Sequence, residues 1–244
     1  MDSRKRTARL AGALYWLACL PAPFVLLYVP GLVTVRGDAA ATALKIRAQE
    51  TLFQLNIFGH LWNLVFFIFL AMALYQLLSH VNKARAALMV ILVLVSLPIS
   101  FLGLLADVGI LVLLRGGDYL AAFSKDQLDS LVYFLLVMRG KANVVAQIFW
   151  GLWLLPLGLL IMRSGFIPRL LGVLLIPNGI AYPVMSLTGL FFPAYSGVVW
   201  AAMLPALLGE LWVMLWLVIR GTRDLPAGER DRQPVLMADA AVPP

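Results

Sequence analysis

The residues able to do chemistry are few, and most of them fall inside long apolar runs. Asn56, His60 and Asn63 recur at i, i+4 and i+7, a spacing that puts all three on one face of a helix. Asp107 lies near the end of another apolar run, and Lys141, Asn143 and Gln147 open a third, with Arg139 just outside it. An ionisable group within a membrane helix costs at least about 2.5–3.5 kcal/mol near its centre, so each calls for a partner or a role. His60 would be the titratable member of such a set, Asp107 its anion, and Arg139 or Lys141 its cation. Together with Asn56, Asn63, Asn143 and Gln147 they could line an outward-opening polar pocket, with Trp62, Trp150 and Trp153 as apolar walls. The same groups could instead satisfy one another across helix interfaces, where amides and histidines hold helices together. The sequence leaves both arrangements open.

Glu210, within Pro205-Ala206-Leu207-Leu208-Gly209-Glu210-Leu211-Trp212, stands apart from that set. At ~1.5 Å per residue it lies roughly 9 Å deeper than Asp107, so a close pair of carboxylates is not expected. It is read either as a proton-relay group or as a structural partner for Asn178 or for backbone opened by Pro177 or Pro183. Several familiar chemistries are excluded. His60 and His80 are separated by ~30 Å of helix and cannot share an ion. Cys19 is the only cysteine, so neither a disulfide within the chain nor a thiolate metal cluster is available. Ser96, Ser100, Ser186 and Thr188 offer hydroxyls, but no Gly-x-Ser-x-Gly elbow occurs, and there is no phosphate loop or dinucleotide fingerprint. No metal or cofactor is expected, and the reading leans away from an enzyme.

The elements that position these groups follow from composition. Hydrophobic residues make up 62% of the chain and charged residues 13%, against about 45–50% and about 25% in soluble domains. Six runs are long enough to cross a hydrocarbon core, roughly 10–35, 54–78, 86–114, 142–162, 168–191 and 197–219. The first is too long for a cleaved signal and lacks a small-x-small site, so it reads as a membrane helix. Of the 19 cations, 12 lie on one side: Arg4, Lys5, Arg6 and Arg9, then Lys83 and Arg85, then Arg163 and Arg169, then Arg220, Arg223, Arg230 and Arg232. The positive-inside rule makes this side, with both termini, cytoplasmic. The formal charge of +7 therefore reads as topology and lipid headgroup contact, not nucleic-acid binding.

On the other side, Asp38 can cap a short helix running toward Glu50, and Ser124 with Gln127 forms a capping-box pattern. The expected fold is all-α: a six-helix transmembrane bundle with two short amphipathic helices on its outer face. Residues 1–221 form one membrane domain, and 222–244 a disordered cytoplasmic tail. A weak internal echo (Arg9, Arg85 and Arg169 opening odd-numbered helices, each trailed by Pro23, Pro98 or Pro183) suggests three hairpins with central kinks.

The chain resembles the bacterial membrane proteins catalogued as domain of unknown function 4386. The resemblance is carried by Thr7-Ala8-Arg9-Leu10-Ala11-Gly12, Gly37-Asp38-Ala39-Ala40-Ala41-Thr42-Ala43 and Asp118-Tyr119-Leu120-Ala121-Ala122-Phe123-Ser124 with Asp126-Gln127-Leu128. Ser164-Gly165-Phe166-Ile167-Pro168-Arg169-Leu170-Leu171-Gly172-Val173-Leu174-Leu175 and Gly209-Glu210-Leu211 complete it. It implies a polytopic protein of the bacterial inner membrane and carries no activity with it. The family often has an acidic residue about where His60 stands and histidines about where Arg139 and Trp153 stand. The expectation is a membrane protein that binds or moves a small molecule or lipid through an outward-facing polar pocket. The alternatives are a membrane enzyme acting on a lipid-soluble substrate, or a structural or regulatory subunit. Membrane lipids are expected partners, and a transport role would call for a homo-oligomer.

Overall fold

The computed structural model describes residues 3–222, which leaves the expected tail outside the described residues apart from Thr222. Among the described residues the chain is helical, without strands, and six segments are long and apolar enough to cross a membrane. Both ends of the described chain meet at one end of the bundle, where an Arg9 guanidinium nitrogen donates to the Ile219 carbonyl at 3.3 Å.

The first span is broken. Helix α1 (Ser3–Cys19) stops before Pro21, a π-helical turn occupies Phe24–Tyr28, and α2 (Val29–Val33) completes the crossing. The cause is local. Pro21 and Pro23 lack the N–H groups that Leu17 and Cys19 carbonyls would ordinarily accept. The second span, α4 (Glu50–Leu78), repairs part of the loss: Trp62 Nε1 donates to the Leu17 carbonyl at 2.7 Å and Asn63 Nδ2 to the Ala18 carbonyl at 2.8 Å. Pro98, by contrast, sits inside the unbroken α5 (Lys83–Arg115), and Pro183 inside α8 (Arg169–Phe191). The three prolines of the sequence echo thus do not act alike.

The two capping signals form as read. Asp38 accepts from the Ala41 amide at 2.8 Å and starts α3 (Ala39–Ala48). Ser124 and Gln127 make a reciprocal capping box, each cap stabilising by about 1 kcal/mol. Beyond Ser124 the chain departs from the expectation of a separate surface helix. Helix α6 (Lys125–Leu152) runs on through a single turn residue, Trp153, into α7 (Leu154–Ser164). This fourth segment of 40 residues measures ~60 Å, about twice a hydrocarbon core. Its first half therefore projects beyond a bilayer-thick layer, where α3 packs on it. Arg47 of α3 and Lys125 both pair with Asp129, at 3.5 and 2.7 Å, and the Gly37 amide donates to the Tyr133 hydroxyl. The last span is α9 (Ser196–Ile219).

Two large apolar cores result, with a small third cluster of Leu64, Leu97 and Leu104. One, around Tyr15, Leu74, Met89, Leu157 and Leu217, fills the end that carries the termini. The other, around Val33, Ile46, Phe53, Ile110 and Val132, fills the far end. Leucines, valines and aromatics stand exposed around the outside, as expected where the surroundings are lipid. Between the cores lies a layer containing nearly all the polar groups singled out by the sequence.

Beyond the second span, His80 stacks on Phe166, with the Arg4 guanidinium over the same ring. Burial, and then the Arg4 charge, lower the imidazole pKa from its ordinary value. Between the lowered folded value and about 6.5 the unfolded chain binds more protons, so stability is present above that range and is lost as pH falls through it. Thermal unfolding midpoints in detergent are expected to drop between pH 7.5 and pH 5, with a smaller drop in His80→Gln. An equal drop in that variant would exclude His80 as the cause.

Candidate functional site

A cavity of about 260 Å³ occupies the polar layer, and all six spans contribute to its wall. Span one presents Cys19 through Leu26 at its break, span two His60 and Asn63, span three Ser96 and Ser100. Span four presents Asn143, Trp150 and Trp153, span five Tyr182, and span six Glu210. An apolar cavity of about 150 Å³ admits benzene, so this one is large enough for a small organic molecule.

The sequence-predicted residues divide by position. His60, Asn63 and Asn143 line the cavity, although Asn63 is also committed to the broken backbone of span one. Asp107 is fully buried behind His60, with its carboxylate 3.6 Å from His60 Nδ1 and 3.5 Å from Arg139 Nη1. Asn56 is fully buried too and, with its amide oxygen turned toward Arg139, accepts from Arg139 Nη1 at 3.2 Å and donates to the Val25 carbonyl at 3.1 Å. Arg139 lies within α6 and is 6% exposed, not just outside span four, because that helix starts far earlier than its apolar run. Asn56, Arg139, Asp107 and His60 thus form one chain of charge and hydrogen bonding from the π-helical turn to the cavity. Lys141 donates to the Gly189 carbonyl at an exposed position, and Gln147 is half-buried off the cavity wall.

Glu210 is not alone. It lines the same cavity as His60 and accepts hydrogen bonds from the hydroxyls of Tyr15 and Tyr182, the latter at 3.4 Å. Sequence reasoning missed both tyrosines. The available signal was that a phenol buried in a membrane helix needs an acceptor, and Glu210 was the carboxyl at comparable depth. Tyr15, Phe67 and Trp153 pack edge-on or tilted with centroids 5.8–6.2 Å apart, and Trp150 meets Tyr182 edge-on at 6.5 Å. Ser96 and Ser100 donate to the carbonyls of Val93 and Ser96 on their own helix, so their hydroxyl protons are not directed at His60. Among the described residues, no three His, Cys, Asp or Glu side chains group as metal ligands.

Fold and site together define a polytopic membrane-type helical bundle with an internal cavity of mixed polar and aromatic lining. The chain belongs to the family described as domain of unknown function (DUF4386), whose model matches residues 10–221. Comparison with curated proteins and with solved structures gave no match.

Proposed function

We propose that this protein binds, and in its membrane setting moves or senses, a small molecule held in the central cavity. The observation that carries the reading is the cavity itself: six spans converge on one chamber, and polar groups from five of them open into it. Helices that only needed to hold one another would close over such groups. Here the mutually paired charges and amide, Asn56, Arg139 and Asp107, lie behind the wall, whereas His60, Asn143 and Glu210 stand on it. The distribution of cations supports a bacterial inner-membrane location with both termini cytoplasmic, which makes the far end of the bundle the outer one. Membrane lipids would surround the exposed apolar side chains, and transport would draw on a homo-oligomer.

Catalysis is the second reading, favoured by the carboxylate of Asp107 beside His60, an arrangement that can orient an imidazole toward a substrate. It is the weaker one, because neither serine in the cavity turns its proton toward that ring. Native mass spectrometry of detergent-solubilised protein is expected to reveal a copurified small molecule, and thermal stability is expected to rise with ligands that fit. Ser100→Phe, which projects a ring into the cavity, is expected to remove both effects. An empty protein that no lipid or metabolite stabilises would refute the proposal.

A further inference from the structure

We infer that the cavity is a site for an organic cation, an ammonium carried on an apolar body, bound by Glu210 and surrounded by Trp150, Trp153, Tyr182 and Phe67. This rests on the binding role proposed above and names the ligand class. Each oxygen of Glu210 accepts from a phenol, an arrangement that suits a carboxylate, because tyrosine hydroxyls supply the donors and the acid supplies none. Among the described residues Glu210 forms no ion pair. Arg139, a cation of the polar layer, is already committed to Asp107 and Asn56. The Glu210 carboxyl, hydrogen-bonded at this depth but without a countercharge, is completed as a carboxylate by a cation supplied from outside.

The rest of the wall suits the same class. Four aromatic side chains line the chamber with Glu210, and aromatic faces attract ammonium groups most strongly where water is excluded. An anion would meet the opposite of what it needs at this end. The route in is also visible. Leu26 of span one and Leu211 of span six both line the cavity, yet are 41% and 36% exposed. Between these spans, where α1 has given way to the π-helical turn, the wall separating the chamber from the lipid-facing surface is therefore one side chain thick. A ligand with an apolar body can enter there from the membrane.

Three probes of similar size separate the outcomes: 2-phenylethylammonium, the uncharged 2-phenylethanol, and phenylacetate. Binding to the purified full chain in detergent is read by calorimetry and by the shift in unfolding midpoint. The ammonium is expected to bind at least about tenfold more tightly than the alcohol, and Glu210→Gln is expected to erase that preference while leaving alcohol binding in place. Trp150→Leu is expected to weaken the ammonium more than the alcohol, which keeps the test open if Glu210→Gln does not fold. Equal binding of ammonium and alcohol by the unaltered protein, or tighter binding of phenylacetate, would overturn the cation assignment and leave the cavity as a binding site. Failure of all three probes, together with no copurified small molecule, would overturn the binding role as well.

Discussion

Replacing Arg139 with leucine is expected to destabilise the bundle by about 3–5 kcal/mol, the largest single effect of any polar substitution in it. The reason is what remains. Asp107 is fully buried, and among the described residues its oxygens accept no hydrogen bond; they are compensated by the charge of Arg139 at 3.5 Å, with His60 Nδ1 at 3.6 Å. Removing the guanidinium strands a carboxylate in an apolar interior with the His60 imidazole as its neighbour. It also takes away the donor that Asn56 accepts from. Asp107→Leu alone is expected to be similarly harmful, because it leaves Arg139 buried without an anion. The double variant, Asp107→Leu with Arg139→Leu, is expected to recover much of the loss, since an apolar pair of similar volume suits the site. A double-mutant cycle by denaturant unfolding in mixed micelles should give a coupling of about 2 kcal/mol or more. Strict additivity would show that the two charges are separately solvated, and the chain from Asn56 to His60 would lose its physical basis.

Why this network was only half legible in the sequence is instructive. Asn56, His60 and Asp107 stood out because polar groups in apolar runs are costly, and His60 and Asp107 do meet. Sequence alone puts Arg139 outside the membrane helix, because the apolar run of span four begins at about residue 142. Helix boundaries, however, are set by caps, and the Ser124 capping box starts the helix well before the run. The six spans were legible because length and hydropathy alone decide them. The break in span one was harder to read. Pro23 suggested a kink, but the turn before Pro21 and the use of Trp62 and Asn63 to satisfy freed carbonyls depend on a neighbouring helix. Glu210 was isolated in sequence for a similar reason: its partners, Tyr15 and Tyr182, are 195 and 28 residues away. Depth could be estimated for each, but facing could not. Facing is set by helix packing, and between spans four, five and six that packing is governed by glycine.

Gly172→Val is expected to destabilise by about 3 kcal/mol or more and to disorder the cavity with it. Spans four and five approach through two glycine pairs. A Cβ at Gly172 would come within 2.5 Å of the Gly158 carbonyl oxygen, and one at Gly158 within 2.8 Å of the Gly172 oxygen. At the second pair, a Cβ at Gly151 would meet the Gly179 oxygen at 2.5 Å and Pro183 Cδ at 2.4 Å. These obstacles are mainly backbone, which cannot rotate away as a side-chain end can, so the helices themselves must separate. Separation acts on the site directly. The second pair flanks Trp150 on one helix and Tyr182 on the other, and Gly209 places Glu210 by lying against the Leu174 carbonyl, 2.5 Å from where its own Cβ would be. Widening the seam by even an ångström would pull Tyr182 away from Trp150, which it meets edge-on at 6.5 Å, and would displace a hydroxyl that reaches Glu210 only at 3.4 Å. A contrasting substitution isolates the cause. Gly140 has open space where a Cβ would stand and lies mid-helix, so Gly140→Ala is expected to be neutral or to stabilise by up to about 1 kcal/mol. If thermal unfolding in detergent ranks Gly172→Val with Gly140→Ala, close backbone contact is not what fixes the seam. If it ranks them as expected, Gly172→Val should lose ligand-induced stabilisation even at temperatures where it stays folded, because the chamber depends on the spacing of the helices that enclose it.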